Sequence, residues 1–413
     1  MSDLSPRPDP LRSASPRPDS LRPASPRPAS PRPDVVIIGA GIVGAAVAFF
    51  AASAGLSVTV VERGSIASGT TSRCEGNLLV SDKEVGPELE LALHSQRIWR
   101  GELAEHAARW EFESKGGLVV AATAPGKAAL DSLAVHQRGL GIRADDVPDS
   151  EALRGIEPYL NPELVGGVFY PDDAQVQPVL AAHHLLRLAR DRGARLVTNT
   201  EVTGIRIERG RAVGIQTRDG RIDAGAVINC AGPWAGDIAA LAGVSVPVLP
   251  RRGFVLVTEP VPITVHHKVY AAEYVQNVAS SDAGLQVSSV VEGTPSGTIL
   301  MGASRERVGF DTTFSADAVG RVARGATELF PVLAGVQILR TYSGFRPYCP
   351  DHLPVIGEDG RVPGLWHAAG HEGAGIGLSV GTAALIVQAL RGEPTDLPLD
   401  PFRPERFDRQ AAA

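Results

Sequence analysis

The sequence predicts an α/β protein in which a doubly wound domain with a parallel sheet is joined to an α+β domain built on an antiparallel sheet. An apolar strand, a glycine turn, an apolar helix and a second strand follow one another from Asp34 to Glu62, the order that opens a doubly wound sheet. Residues 250–335 instead alternate strand-like pieces with one helix near Ala316–Phe330. The opening pattern returns at Leu365–Leu390, so we expect the first domain to be assembled from separated segments.

The prediction of individual elements follows hydrophobic periodicity and turn residues. The first helix is predicted over Ile42–Ala54 and the second strand over Ser57–Glu62. Helical periodicity also covers Pro87–His106, and Gln177–Pro178 starts a helix that runs to Arg192. Four short strands are then predicted over Arg195–Thr198, Glu201–Glu208, Ala212–Arg218 and Arg221–Cys230. Further strands have the sequences FVLVTE, LQVSSVV and TILMGAS.

The N-terminal segment has a different composition from the rest of the chain. Residues 5–34 read SPRPDPLRSA, SPRPDSLRPA and SPRPASPRPD, a ten-residue repeat with frequent proline and almost no apolar content. Such a segment cannot bury a core, so residues 1–33 are predicted to be a disordered tether with extended character.

Length, charge and cysteine content restrict the classes of function. At 413 residues the chain exceeds a typical domain of about 150 residues, and two domains are expected. A net charge of -6, with a positive surplus within residues 1–33, argues against nucleic acid as a partner. Cys74, Cys230 and Cys349 lie far apart without a CxxC pair. We therefore expect no metal site and a reducing, cytoplasmic location.

A glycine fingerprint lies between the first strand and the first helix. The turn contains Gly39, Gly41, Ile42, Val43 and Gly44. These glycines permit a tight turn, close approach to a pyrophosphate and close helix packing, and they also argue against a transmembrane segment over residues 35–54. Glu62 lies 18 residues after Gly44, where a carboxylate can accept from a ribose hydroxyl. Together these features predict dinucleotide binding.

Two later segments favour FAD over NAD. Val227–Trp234 is an apolar strand that ends in a turn of small residues, including Ala231 and Gly232. Gly364–Leu378 is a strand followed by a glycine-rich turn that opens a helix, whose N-terminus suits the negative charge of a reduced flavin. An NAD-dependent dehydrogenase explains the first fingerprint but leaves this second glycine-rich segment without a role.

The motifs resemble the D-amino acid oxidase family of FAD enzymes. The resemblance runs from about Asp34 to Gly392 and rests on VVIIGAGIVGAAVAFFAASAG, VVERG, SGTTSRCEGNLL, VINCAGPWA, YSGFRPYCPDHLPVIG and LWHAAGHEGAGIGLSVGTA. It implies an FAD domain of the glutathione-reductase type and a separate substrate domain. Within the family the motifs are most similar to the β-type subunits of D-hydroxyproline dehydrogenase, opine oxidase and hydrogen cyanide synthase. That subgroup implies an iron–sulfur subunit and a second flavoprotein subunit as partners.

The resemblance also implies roles for individual residues. The glycine fingerprint would contact the pyrophosphate, Glu62 with neighbouring Arg63 would lie at the adenosine ribose, and Val202 would offer its backbone to the adenine. Residues expected to follow the flavin toward its ring are Ser68, Thr70, Thr71 and Ser72. Residues expected around the ring are Gly370, His371, Gly373, Gly375, Ile376, Gly377 and Leu378.

Arg346 in the GFRP motif matches the family arginine that holds the substrate carboxylate. A planar guanidinium binds a carboxylate bidentately and can orient the substrate Cα–H. Tyr274 is a second candidate for the substrate pocket, while His371 is expected either to relay a proton or to pack in its loop. The position that carries a flavin-bound cysteine in the monomeric sarcosine oxidases is Gly344 here, so the FAD is expected to be non-covalent.

The resemblance divides the chain into domains. The FAD domain is predicted over residues 34–112, 178–248 and 336–400, the substrate domain over 113–177 and 249–335, and a C-terminal tail over 401–413.

The implied reaction is hydride removal from the Cα of a small amino acid, either a D-amino acid or a cyclic or secondary amine such as hydroxyproline or proline, giving an imine. A glycine- or sarcosine-type oxidase that uses O₂ and forms H₂O₂, and a non-catalytic flavoprotein subunit, remain open alternatives. A glycerol-3-phosphate oxidiser would need a denser basic pocket than the sequence shows.

Overall fold

The strands and α-helices are numbered in chain order. The computed structural model describes residues 32–274 and 280–408. The strands are β1 (Val35–Ile38), β2 (Val58–Val61), β3 (Asn77–Leu78), β4 (Gly117–Ala121), β5 (Asp145–Val147), β6 (Gly166–Tyr170), β7 (Ala174–Gln175), β8 (Arg195–Val197), β9 (Val202–Glu208), β10 (Arg211–Thr217), β11 (Gly220–Asp223), β12 (Ala226–Asn229), β13 (Leu249–Thr258), β14 (Lys268–Ala271), β15 (Gln286–Gly293), β16 (Ile299–Arg305), β17 (Ile338–Tyr348), β18 (Val355–Glu358) and β19 (Leu365–Ala369). The α-helices are α1 (Ile42–Ser53), α2 (Pro87–Arg100), α3 (Ala124–Gly139), α4 (Ser150–Ile156), α5 (Pro178–Asp191), α6 (Ala235–Ala240), α7 (Ala316–Leu329) and α8 (Gly375–Leu390).

A six-stranded sheet forms the first layer of the fold. Its order is β18-β19-β12-β1-β2-β8, and every neighbouring pair is parallel except β18 with β19. All four residues of β1 are buried, because α1, α5 and α8 cover one face of the sheet and strands β9 and β10 cover the other. Helix α1 packs against α5 and α8. A Cβ added at Gly44 would lie 2.0 Å from the Gly39 carbonyl oxygen, so α1 begins in direct contact with the turn before it.

An eight-stranded sheet forms the second layer. Its order is β17-β13-β16-β15-β14-β4-β6-β5, antiparallel throughout except for the pair β14 and β4. Helix α7 packs on β13, β15 and β16 and buries Val322, Ala326 and Leu329 in an apolar core there. The predicted combination of a parallel sheet with a second, antiparallel sheet is therefore confirmed.

Three elements differ from the sequence prediction. Helix α2 ends at Arg100, before Gly101, and residues 104–110 continue as a 3-10 helix. The strand predicted over Arg221–Cys230 is two strands, because β11 pairs with β10 in a separate three-stranded antiparallel sheet whereas β12 pairs with β1 in the parallel sheet. Strand β17 pairs with β13 from Leu249 to Thr258, so residues 338–348 lie in the eight-stranded sheet and not with the rest of the predicted segment 336–400.

The C-terminal segment packs on the fold as far as it is described. Phe402 is 1% exposed, and the Arg406 guanidinium pairs with the Asp351 carboxylate at 2.6 Å. Residues 401–408 of the predicted C-terminal tail therefore contain two 3-10 helices that pack against the fold. Residues 1–31 and 409–413 lie outside the described residues, as does most of the predicted N-terminal tether. In the described ranges no helix is long and apolar enough to cross a membrane.

Replacing Phe402 by alanine is expected to lower the free energy of unfolding by about 3–5 kcal/mol, because a fully buried ring is removed from the core. Urea unfolding followed by tryptophan fluorescence measures the change. Arg403→Ala is the matched control, since its guanidinium is exposed and reaches only Asp400 at the surface. Equal stability of the two variants would contradict the packing of this segment.

Candidate functional site

A cavity of about 630 Å³ lies at the carboxyl ends of β1, β2 and β12 and is closed by residues of β13, β17 and the start of α8. Carboxyl ends of parallel strands are where open α/β sheets bind their ligands. The predicted site residues that line it are Gly39, Gly41, Ile42, Val43, Glu62, Arg63, Ser68, Thr70, Thr71, Val202, Ala231, Gly232, Tyr274, Arg346, His371, Gly373, Gly375 and Ile376. The structure therefore brings together residues that are more than 300 positions apart in the sequence.

The remaining predicted residues lie behind the cavity wall. They are Gly44, Ser72, Gly370, Gly377 and Leu378. Gly44 allows the close contact of α1 with its turn, and the Ser72 hydroxyl donates to the Gly69 carbonyl. Gly370 has a φ of +80°, which favours glycine at the start of the loop before α8. These five positions shape the backbone around the cavity without lining it.

The turn after β1 forms a cradle of backbone atoms. Gly39 has a φ of +107°, and a Cβ there would lie 2.5 Å from the Cys230 carbonyl oxygen, so no side chain fits. A Cβ at Gly41 would lie 3.2 Å from the Thr71 hydroxyl oxygen. The α1 N-terminus has no side-chain cap from Gly41. The Ile42 amide at the start of α1 donates to the Thr71 hydroxyl at 3.0 Å, while Gly39 and Gly41 leave their own backbone free of side chains, which suits the approach of a phosphate.

Glu62 lies directly after β2 and is fixed by the backbone around it. Its Oε2 accepts a hydrogen bond from the Ala40 amide at 2.9 Å, and its Oε1 accepts one from the Gly64 amide at 2.8 Å. Each carboxylate oxygen keeps a further lone pair for a ligand. The carboxylate is therefore held in the cavity wall in an orientation that suits a ribose hydroxyl.

Trp234 lines the cavity, although the sequence motif that contains it, VINCAGPWA, predicts no role for this residue. The Arg63 guanidinium lies 3.8 Å from the centre of the Trp234 ring, and the Phe310 ring stacks on the same indole at 5.1 Å. Its position in the CAGPW turn, directly after β12, is the sequence feature that indicates a place in the cavity. This stack forms one rim of the cavity.

The segment that opens α8 presents backbone amides to the cavity. Gly373, Gly375 and Ile376 line it, and the N-cap residue Ala374 offers no side-chain cap. The first N–H groups of such a helix lack intrahelical acceptors and carry the positive end of the helix dipole. This end of the cavity therefore suits a group that gains negative charge.

His371 lies in the same segment but is buried. Its side-chain Nε2 hydrogen-bonds to the Thr382 hydroxyl at 3.0 Å. Burial lowers the pKa of this imidazole to about 3. The ring is therefore neutral at physiological pH, which favours a packing and hydrogen-bonding role over proton relay.

Arg346 projects from β17 into the cavity. Its Nη1 donates to the Ser304 carbonyl at 2.8 Å, and its Nε lies 3.9 Å from the position that a Cβ on Gly373 would occupy. The neighbouring strand β13 carries Arg251 and Arg252, which pair with Glu372 and Glu306. Among the described residues no carboxylate pairs with Arg346. Its guanidinium is thus available for an acidic ligand.

The candidate Tyr274 and the neighbouring Tyr270 occupy different places. Tyr274 lines the cavity, and the Arg305 guanidinium lies 5.1 Å from the centre of its ring. Tyr270 is fully buried, shares a hydrogen bond with Ser81 and contacts Tyr274 edge to face. Tyr270 therefore supports Tyr274 from within the eight-stranded sheet and does not line the cavity.

Comparison with known proteins identifies the family. The family described as FAD dependent oxidoreductase (DAO) matches residues 34–389. The chain belongs to this family. Its members are FAD-dependent oxidoreductases, which confirms the predicted family, enzyme class and cofactor.

Relatives of this FAD-dependent oxidoreductase cover most of its length. It is 32% identical to the glycine oxidase of Geobacillus kaustophilus over 89% of this chain and 96% of that enzyme, and the crystal structure of that enzyme matches with a TM-score of 0.82. The L-proline dehydrogenase structure from P. horikoshii matches with a TM-score of 0.83 at 25% identity, over 92% of this chain and 98% of that one. Hydrogen cyanide synthase subunit HcnC of Pseudomonas aeruginosa is 31% identical over 64% of this chain, a match that spans only 60% of HcnC.

The cavity fits FAD in three respects. The turn at Gly39 leaves no room for side chains next to a phosphate, Glu62 presents a fixed carboxylate, and the start of α8 presents uncapped amides. Within the described ranges no group of three or more histidine, cysteine or acidic side chains is arranged to hold a metal ion.

Replacing Gly253 by alanine is expected to weaken carboxylate binding at least about tenfold. A Cβ there would lie 2.1 Å from Arg346 Nη1 and 2.4 Å from the Ser304 carbonyl oxygen, so the guanidinium must move. The dissociation constant of acetate, read from the change in flavin absorbance, measures the effect. Gly204→Ala is the control, because a Cβ there meets only Gln216 Cβ at 3.4 Å. Unchanged acetate affinity in the Gly253 variant would argue against Arg346 as the carboxylate site.

Replacing His371 by asparagine is expected to leave the shape of the pH–rate profile unchanged from about pH 5 to about pH 9, because the imidazole is already neutral there. Below its ordinary pKa of 6.5 the unfolded state binds a proton that the folded state does not, so the wild type loses stability as the pH falls toward 3 and the variant loses less. Rapid-mixing kinetics and urea unfolding across this range measure both effects. If the wild-type rate changes with a pKa near pH 6–7 and this change is absent in the variant, His371 acts as a proton relay.

Proposed function

We propose that this enzyme removes a hydride from the Cα–H of a small amino acid whose carboxylate is bound by Arg346, giving an imine. Bound FAD would supply the hydride acceptor. The observation that carries the proposal is the position of Arg346, a guanidinium without an acidic partner in the described chain, in the same cavity as the glycine-rich start of α8. The names of relatives support the substrate class, since they include a glycine oxidase and an L-proline dehydrogenase.

We assign FAD contacts along the length of the cavity. The turn from Gly39 to Val43 would approach the pyrophosphate, Glu62 the ribose, and Val202 the adenine. Residues proposed to follow the flavin toward its ring are Ser68, Thr70 and Thr71, and those proposed around the ring are Gly373, Gly375 and Ile376. Gly344 carries no thiol, and a Cβ there would lie 2.4 Å from Arg73 Cβ, which supports non-covalent attachment.

The role of the protein in the reaction is mainly positioning. Arg346 would hold the carboxylate bidentately, and Tyr274 would border the same pocket. The uncapped amides at the start of α8 suit the negative charge that the cofactor end gains on reduction. With the substrate amine neutral, no acid or base from the protein is required, which agrees with a neutral His371.

The more specific proposals on substrate, location and electron acceptor rest on the resemblance to the β-type subunits of D-hydroxyproline dehydrogenase, opine oxidase and hydrogen cyanide synthase. We propose a D-amino acid or a cyclic or secondary amine such as hydroxyproline or proline as substrate, a cytoplasmic location, and electron transfer to an iron–sulfur subunit and a second flavoprotein subunit. The similarity to HcnC, which is named as a subunit, supports a multi-subunit assembly. The similarity to glycine oxidases supports the alternative in which O₂ reoxidises the enzyme and H₂O₂ forms.

Anaerobic mixing of the purified flavoprotein with D-hydroxyproline, both enantiomers of proline, D-alanine, sarcosine and glycine tests the proposal. We expect one of them to bleach the flavin absorbance rapidly, and Arg346→Ala to slow bleaching at low substrate concentration about a hundredfold, because a charge-assisted hydrogen bond is lost. Arg340→Ala is the matched control, since Arg340 lies exposed on the same strand and outside the cavity.

The remaining outcomes separate the alternatives. Peroxide formation after air is readmitted would identify an oxidase, whereas slow reoxidation would identify an enzyme that needs a partner as acceptor. A non-catalytic flavoprotein subunit predicts two results together. None of these amines would bleach the flavin, and an Arg346 variant would leave the activity of an assembled complex intact.

A further inference from the structure

One residue joins the loop before α8 to the strand that carries Arg346. Residues 370–374 form this flavin loop, between β19 and α8. The amide of Glu372 in the loop donates to the Pro347 carbonyl on β17 at 3.1 Å. Pro347 directly follows Arg346, and a Cβ on Gly373 would lie 3.9 Å from Arg346 Nε. The loop proposed to contact the flavin ring and the strand proposed to bind the substrate carboxylate therefore meet at Glu372.

Both carboxylate oxygens of Glu372 have partners in the protein. Oε1 accepts a hydrogen bond from Arg251 Nη1 at 3.0 Å, and Oε2 hydrogen-bonds to His352 Nδ1 at 3.0 Å. The Arg251 side chain is 1% exposed, and the residue lies directly opposite Arg346 in the pairing of β13 with β17. The Glu372 side chain thus ties the flavin loop to β13 and to the turn that follows β17.

The backbone of Glu372 has a conformation that favours glycine. Its φ is +44°, in the left-handed region. A residue with a side chain stays in this region only where its surroundings hold it there. Glycine occupies positions 370, 373 and 375 of the same segment, yet position 372 carries a carboxylate. The contacts of that carboxylate therefore offset the strain of the loop.

The ion pair of Arg251 with Glu372 forms part of the cavity wall. Glu372 lines the same cavity as Arg346 and Gly373, and its side chain is 12% exposed. A charge that is shielded from water in this way acts more strongly on its neighbours than an exposed one. Without the Glu372 carboxylate, the charge of Arg251 would be uncompensated beside the flavin loop. Positive charge there favours a flavin that gains negative charge on reduction.

We propose that Glu372 is a positioning residue that holds the flavin loop against the strand of Arg346, so that a substrate bound by Arg346 presents its Cα–H to the flavin; this rests on the proposed function. Glu372 itself does not bind the substrate, because both of its oxygens are occupied by protein donors. A misplacement of about 1 Å can slow a reaction about a hundredfold. The effect of Glu372 therefore lies in the rate of hydride transfer and not in substrate affinity.

Glu372→Gln tests the proposal in the FAD-loaded enzyme. Anaerobic mixing with the amino acid that reduces the wild-type flavin gives the limiting rate constant of reduction and the dissociation constant. We expect a rate constant at least about tenfold lower, with the affinities for the amino acid and for acetate changed less than about threefold. The reduction potential of the flavin, measured against a reference dye, should rise. A higher potential alone favours faster reduction, so slower reduction at a higher potential identifies lost positioning.

Glu306→Gln is the matched control. Glu306 pairs with Arg252 at 2.9 Å, the residue after Arg251 on β13, and it does not line the cavity. Arg252 keeps a second carboxylate, that of Asp311, at 2.8 Å. We therefore expect a rate constant within about threefold of the wild type and an unchanged potential.

Two further variants separate positioning from charge and from folding. Glu372→Asp keeps the charge but is too short to reach both Arg251 and His352, so the potential should stay near that of the wild type while reduction is still slowed. If Glu372→Gln does not fold, the double variant Arg251→Gln with Glu372→Gln leaves no unpaired buried guanidinium, and it should show the same slow reduction.

Several results would overturn the inference. They are an unchanged rate constant in Glu372→Gln, an equal loss in Glu306→Gln, and amino acid binding weakened at least about tenfold at an unchanged rate constant, which would make Glu372 a substrate-binding residue. If no amino acid reduces the wild-type flavin, the proposed function fails by itself. The potential of Glu372→Gln then decides the inference, because an unchanged value would show that Glu372 does not act at the flavin.

Discussion

The close approach of α1 to the turn that precedes it is the constraint on which the cavity depends. A side chain at Gly44 would meet the Gly39 carbonyl, and one at Gly39 would meet the Cys230 carbonyl. Because both positions lack a Cβ, the ends of β1 and β12 and the start of α1 meet at one point. Glu62 then ties the end of β2 to the same turn through the Ala40 amide. Close backbone contacts therefore fix the shape of this end of the cavity.

The other end depends on a second pair of close contacts. Strands β13 and β17 pair so that Gly253 lies opposite Gly344. The bare backbone of Gly253 leaves space for the Arg346 guanidinium, and that of Gly344 leaves space for Arg73. Glycine therefore serves both ends of the cavity, because it keeps the backbone free of side chains at one end and leaves space for charged side chains at the other.

The sequence predicts the parts of this protein whose causes are local. Apolar runs and glycines within a few residues of each other predict the strand, turn and helix around Gly39–Gly44 and the opening of α8. These two units together predict the parallel sheet. Strand β17 has no comparable local signal, because its sequence is polar, contains Gly344 and Pro347, and pairs with β13 some 90 residues away. A family motif indicates Arg346, but no local sequence pattern indicates that Gly253 on β13 provides the space for its guanidinium.

The charges in the cavity indicate selection of the ligand by charge and hydrogen bonding more than by shape. Arg251 and Arg252 are neutralised by Glu372 and Glu306, and Lys268 by Glu292, so most buried charge around the cavity is already paired. Among the described residues, neither Arg346 nor the buried Arg305 beside Tyr274 is paired with a carboxylate. A buried guanidinium without a counter-charge is unfavourable until an anionic ligand pairs with it. The carboxylate of an amino acid would provide that counter-charge, whereas a neutral or cationic ligand would leave Arg346 unpaired.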